Sequence, residues 1–210
     1  MVCNHCRNSC KTFLGISKSI WACLWARNKF KKLSNRLIPA RTTIALVGSP
    51  NVGKSLLFNL LTDGYTDVSN YPGTTVDIAK GQAIIAGQTV SIIDTPGMYS
   101  LIPMTEEEQY SRDFLLTESI DLVVNVIDAK HLSRMLAFTF QLMEIQLPVL
   151  LAVNMLDEAE KLGIWVNEKQ LEASLGIPVV TLSAYQKRGI QTLKAKVGNY
   201  VTTPALSYSY

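Results

Sequence analysis

The sequence predicts an α/β fold: a mostly parallel six-stranded sheet with helices on both faces. Two observations carry that expectation. From residue 42 onward, short apolar runs alternate with helical stretches. A glycine-rich turn, "GSPNVGKS" (48–55), joins the first apolar run to a leucine-rich helix former.

The elements follow in order. "TTIALV" (42–47) reads as a buried strand and 54–62 as a helix. "DGYTDVSNYPGTT" (63–75), rich in Gly, Asp, Asn and Pro, reads as loop. "GQAIIAGQTVSIID" (81–94) is a hairpin turning at Ala86-Gly87-Gln88. "TEEEQYSRDFLL" (105–116) opens a helix with Thr105 and has Glu108 three residues later, a capping box. "DLVVNVID" (121–128) is a strand, 131–146 an amphipathic helix, and "PVLLAVNM" (148–155) a strand. Residues 167–175 form a helix, "PVVTLSA" (178–184) a strand, and 187–199 the last helix. Such βα alternation covers both sheet faces and places ligands beyond the carboxyl ends of the strands.

Composition bounds the function classes. A chain of 210 residues with 48% hydrophobic content suits one ordinary domain with an appendage. A charged fraction of 18% excludes a disordered polyelectrolyte. The charge is uneven. Residues 1–41 carry nine Lys or Arg and no acid, a charge of +9. Residues 42–210 carry eleven basic and seventeen acidic residues, a charge of −6. An acidic body argues against a nucleic-acid partner. The division expected is a basic leader (1–41), a body (42–200) and a short tail (201–210).

All four cysteines, Cys3, Cys6, Cys10 and Cys23, lie in the leader, so no disulfide staples the body. That fits a reducing compartment. No window reaches eighteen consecutive apolar residues, so no membrane-spanning helix is expected. The leader makes a poor secretory signal, because Lys18 interrupts its apolar stretch.

Gly48, Gly53, Lys54 and Ser55 match the phosphate-loop pattern G-x-x-x-x-G-K-[ST]. The loop Gly48, Ser49, Pro50, Asn51, Val52, Gly53 can turn its N–H groups onto phosphate oxygens. The helix through Lys54, Ser55 and Leu56 aims its positive end at the same anion. Lys54 neutralises the β and γ phosphates, and the Ser55 hydroxyl ligates Mg²⁺. "DTPG" (Asp94, Thr95, Pro96, Gly97) ends a strand: Asp94 can hold a magnesium-bound water and the Gly97 N–H can meet the γ-phosphate. Alone it is a weak signal, since strands often turn on Asp and Gly.

"NMLD" (154–157) ends another strand. Asp157 can accept from the N1–H and exocyclic amine of guanine, a donor pair adenine lacks. Asn154 can tie the phosphate loop to the base-binding loop; the alternative for this stretch is a helix N-cap. Ser183 and Ala184 follow the sixth strand, where a backbone N–H can meet the guanine carbonyl. The ordered set is strong where each part is weak: a nucleoside triphosphate, GTP, with Mg²⁺.

This set resembles the small GTPases of the translation-factor-like class, which are P-loop NTPases. "GSPNVGKSLLFNLLT", "NYPGTTVD", "DTPGMYSL", "TEEEQYSRDFLL" and "NMLDEAEKLGI" are similar to the G domain of the ferrous iron transport protein B family, over about residues 42–200. Met155, where most GTPases place lysine, is part of the resemblance. The resemblance implies a GTP/GDP switch at the cytoplasmic face of the inner membrane. Its implied partner is a membrane Fe²⁺ permease domain in the same or an adjacent chain. It places the first switch in "NYPGTTVD", with Thr75 as a Mg²⁺ ligand beside Ser55 and Asp94, and Thr74 adjacent. It also implies that Asn51 helps bind K⁺ beside the phosphates. Asn51, Lys54, Thr75 and Gly97 are then the catalytic set. Two departures are Ser49 where the family usually has Asn and Ser55 where it often has Thr. The family's helical and membrane domains would lie beyond "VTTPALSYSY", which suits an excised fragment or a stand-alone G protein.

Many GTPases orient the attacking water with a glutamine after D-x-x-G. Met98 stands there, so slow intrinsic hydrolysis is expected. In the leader, "CNHCRNSC" (3–10) offers thiolates and His5 for a soft metal, against unpaired reduced thiols. Residues 12–32 read as an amphipathic helix with Trp21 and Trp25, suited to a membrane surface or to packing on the domain. Self-association is left open. Two rivals remain: a ribosome- or RNA-assembly GTPase, disfavoured by the −6 body, and a regulatory nucleotide-binding module without useful hydrolysis, kept alive by Met98.

Overall fold

The structure is a computed structural model and describes residues 42–62, 66–70 and 77–202. The leader with its four cysteines and amphipathic stretch, the switch threonines Thr74 and Thr75, and tail residues 203–210 lie outside the described residues.

Seven strands form one sheet. They are β1 (Thr43–Val47), β2 (Thr66–Asn70), β3 (Asp77–Ile85), β4 (Gln88–Asp94), β5 (Leu122–Asp128), β6 (Val149–Asn154) and β7 (Val179–Thr181). The order is β2-β3-β4-β1-β5-β6-β7. Pairings from β4 to β7 are parallel; β2-β3 and β3-β4 are antiparallel. The architecture is the mostly parallel α/β sheet that the alternation implies. The sheet has one more strand than the six expected. Residues 66–70, inside the stretch read as loop, pair with an extension of β3 back to Asp77.

Among the described residues there are six α-helices: α1 (Lys54–Leu61), α2 (Glu106–Thr117), α3 (Leu132–Glu144), α4 (Leu156–Lys161) and α5 (Glu168–Leu175) lie between strands, and α6 (Ile190–Thr202) follows β7. Helix α4 has no counterpart in the sequence reading, and α6 runs three residues past the expected 199. The capping box at α2 forms by half. Thr105 Oγ1 accepts from Glu108 N–H at 3.2 Å. The Glu108 carboxylate instead accepts from Met104 N–H at 2.7 Å and Tyr99 N–H at 3.4 Å.

Both faces of the sheet are covered, which is why β5 and β6 are buried along their whole length. Ile44, Leu46, Val124 and Ala152 point to one face and pack with Leu57, Phe58 and Leu61 of α1 and Leu193 and Val197 of α6. The alternate residues face the other way. There Asn125 Nδ2 donates to Thr139 Oγ1 of α3 at 2.9 Å, both residues fully buried. Residue period 2 in the strands thus divides the apolar content between two layers. From β1 the chain builds one half of the sheet through β4, then crosses to β5 on the other side. That reversal is the topological switch point, where ligands of open α/β sheets bind.

Candidate functional site

The site is assembled at the carboxyl ends of β1, β4, β6 and β7. In register, Leu46 of β1 pairs with Asp94 of β4, and Asp128 of β5 pairs with Asn154 of β6. Four motifs spread over more than a hundred residues, from Gly48 to Ala184, therefore emerge on one edge.

After Val47 the chain turns through Gly48, Ser49, Pro50, Asn51, Val52 and Gly53 into α1. Asn51 takes a left-handed conformation at φ 63, which asparagine tolerates better than most residues. Lys54 is 7% exposed, and its ammonium donates to Gly48 O and Ser49 O, each at 2.9 Å. An ammonium has three donors, so one remains for a phosphate oxygen. Burial lowers its pKa to about 8, opposed in part by the nearby Asp94 charge. Leu56, next along α1, is exposed at the surface.

Ser55 Oγ donates to Asp94 Oδ2 at 2.7 Å. Asp94 Oδ1 is buried and has no hydrogen-bond partner among the described residues. Burial raises the Asp94 pKa, while the Ser55 bond and Lys54 lower it. A hydroxyl and a carboxylate with an unsatisfied oxygen form a hard-oxygen pair suited to Mg²⁺. Thr95 is held by its Oγ1, which donates to Leu46 O at 2.9 Å, and Pro96 O accepts from Ser111 Oγ at 3.2 Å. Gly97 packs against the phosphate loop: a Cβ there would lie 2.6 Å from Pro50 Cγ, so no larger residue fits.

Met98 N–H donates to Gly48 O at 3.0 Å, and its side chain is fully buried. The position after D-x-x-G therefore points into the core. The following loop is braced by Glu108 and by Gln141 of α3, whose Oε1 accepts from Leu101 N–H at 2.8 Å. The sequence gives no local signal for the Gln141 contact.

At the other end, Asn154 makes two bonds. Its Nδ2 donates to Val52 O at 2.8 Å and its Oδ1 accepts from Ala184 N–H at 2.9 Å. The first bond needs Gly53: a Cβ there would stand 2.5 Å from Asn154 Nδ2, and φ is 87. Met155 is the N-cap of α4 at φ 61 and makes no side-chain cap bond. Asp157 sits in the first turn, 8% exposed, and accepts from Ser183 Oγ at 2.6 Å. The N–H groups of Ser183 and Ala184 are both in use, by Arg188 O and by Asn154. A guanine carbonyl seeking the Ala184 N–H would therefore compete with Asn154, which the sequence reading did not anticipate.

Comparisons with known proteins agree with this geometry. The family model "Ferrous iron transport protein B" matches residues 42–197. The Fe(2+) transporter FeoB of Escherichia coli (strain K12) is 40% identical over 164 residues, 76% of this chain and 21% of that protein. The chain thus spans about a fifth of the length of the curated relatives it matches. The FeoB G-domain structure from Methanococcus jannaschii matches with a TM-score of 0.69 at 42% identity, covering 78% of this chain and 99% of that one. The cytosolic domain of the T. maritima FeoB iron transporter in its GMPPNP form matches with a TM-score of 0.73 at 36% identity, covering 78% and 65%.

Proposed function

This chain belongs to the ferrous iron transport protein B family, and we propose that it works as the GTP-binding, GTP-hydrolysing switch of an Fe²⁺ transporter. The observation that carries the reading is the double bond of Asn154. One buried amide ties the phosphate loop at Val52 to the base loop at Ala184, with Asp157 three residues on. A single ligand with phosphates at one end and guanine at the other spans that bridge. The permease partner, in the same or an adjacent chain, and a place at the cytoplasmic face of the inner membrane belong to the same proposal. So does contact of the leader with a membrane surface, which rests on its +9 charge.

The chain's own groups divide the work. Loop N–H groups and Lys54 grip the β and γ phosphates. Asp157 accepts the two guanine donors. Ser55, Asp94 and Thr75 are the groups that would hold Mg²⁺, and Asn51 the group that would help hold K⁺. When bound, these cations supply positive charge against the charge that develops on the transferring phosphoryl. The Gly97 N–H faces the γ-phosphate and fixes the loop that follows. Because the Met98 side chain is buried, it orients no water, and intrinsic turnover is slow.

The same buried Met98 favours a second reading, a nucleotide-binding regulatory module without useful hydrolysis. The test is phosphate release at saturating Mg²⁺-GTP in K⁺ and in Na⁺ at matched ionic strength. A cation acting as an arginine finger does accelerates by about 10³-fold or more, and Asn51→Ala removes the difference. Equal rates in both salts reject cation assistance. No release in either salt selects the regulatory module.

A further inference from the structure

The base end carries a lysine that no motif uses. Strand β5 ends on Asp128, beside Asn154. The Asp128 carboxylate accepts from Lys130 N–H at 2.9 Å and lies 3.1 Å from His131 Nδ1. These contacts close the short turn Ala129–His131 and direct Lys130 toward α4. There the ammonium donates to Glu158 Oε2 while staying 3.7 Å from Asp128 Oδ2. The hydrogen bond to Glu158 raises the Lys130 pKa, so the amine stays charged.

Glu158 is the residue after Asp157, in the first turn of a helix only six residues long. So short a helix does not hold its own geometry in water. Its N-cap, Met155, is left-handed and contributes no side-chain cap, and Met155 brings no charge where most GTPases have lysine. Asp157 itself has one bond, from Ser183 Oγ.

We propose that Lys130 is a positioning residue for base recognition: through Glu158 it holds the first turn of α4 so that Asp157 meets both guanine donors. The inference rests on the guanine reading above. It supplies from the turn after β5 the cation that the N-x-x-D segment lacks.

The test is titration of the full chain with GDP and with IDP, which lacks the exocyclic amine. The wild type prefers GDP. Lys130→Met lowers the GDP-to-IDP affinity ratio by about three- to fivefold, the size expected of a half-exposed ion pair. Lys130→Arg restores the ratio. Glu158→Gln reproduces the loss, and the double variant adds nothing further. Should Lys130→Met not fold, Glu158→Gln reads the same contact alone. Equal weakening of GDP and IDP, an unchanged ratio, or additive single-variant effects overturn the inference while leaving guanine recognition intact. A wild type without preference for GDP overturns the guanine reading, and the inference with it.

Discussion

At the phosphate end of the site the groups proposed to meet the ligand are mostly backbone; at the base end they are the Asp157 carboxylate of α4 and the segment of Ser183 and Ala184 that follows β7. The phosphate loop is one contiguous segment, Gly48 to Ser55, fixed by Gly48 and Gly53 and by the Lys54 ammonium on its own carbonyls. The base end has no such segment. Asp157 lies in the first turn of α4, Ser183 and Ala184 follow β7 twenty-six residues or more further along the chain, and the two segments are joined by Ser183 Oγ and Asn154. A backbone cradle reads charge and shape, whatever base is attached. A side-chain acceptor reads one donor pattern. If the proposed function holds, affinity follows a local fold and specificity follows a tertiary assembly.

The sharpest way to break this comparison is to remove one group from each end. Asp157→Asn should collapse discrimination between GTP and ATP, by up to roughly 10⁴-fold, since a buried acceptor matched to two donors rejects a base lacking them by that much. Lys54→Ala should weaken GTP and ATP alike, by about 2 to 5 kcal/mol, because it removes a charge-assisted phosphate partner. Calorimetric titration of both nucleotides on both variants measures the two effects. If Lys54→Ala changed selectivity, or Asp157→Asn cut affinity uniformly, the division of labour would be wrong.

A smaller effect tests the joint between the halves. Asn154→Ala leaves Val52 O and Ala184 N–H without their partner in the interior. Each orphaned buried group costs about 1 to 3 kcal/mol, so unfolding by denaturant should show a loss of about 2 to 6 kcal/mol. Asn154→Asp can still accept from Ala184 N–H but can no longer donate to Val52 O. Its nucleotide affinity should fall more than its base selectivity. A stability loss under 1 kcal/mol for Asn154→Ala would show that the two loops stand independently.

The same contrast explains what the sequence made legible. A contiguous motif with fixed glycine spacing is visible in any linear reading, and Gly48 to Ser55 was. Asn154 was readable as a tie because the ordered motifs imply one ligand. Strand β2 was not, because "TDVSN" is polar and forms by pairing with β3, which local composition does not reveal. Helix α4 escaped because its start has a left-handed methionine instead of a capping side chain. Lys130 escaped for the same reason as Gln141: each acts across a tertiary contact on a residue far along the chain. The role read for the Ser183 and Ala184 N–H groups took no account of their bonds to Arg188 and Asn154.

The smallest effect sharpens the phosphate end alone, through the titration of Lys54. Its pKa in the folded chain is about 8, against an ordinary 10.5, because burial disfavours the ammonium. Between those values the unfolded chain binds more protons at this site than the folded one. Stability without nucleotide should therefore rise with pH across that window, relative to Lys54→Met. Nucleotide binding has the opposite sign. Phosphates require the ammonium, so affinity should fall as pH passes about 8, approaching tenfold per unit once most of the lysine is neutral. Melting curves without nucleotide and GDP titrations, both taken from pH 7 to 9, follow the two signs together. A general alkaline loosening of the fold would move stability and affinity down in step. Opposite slopes in the wild type, both absent in Lys54→Met, are the signature of one buried amine. Parallel slopes would remove Lys54 as their cause.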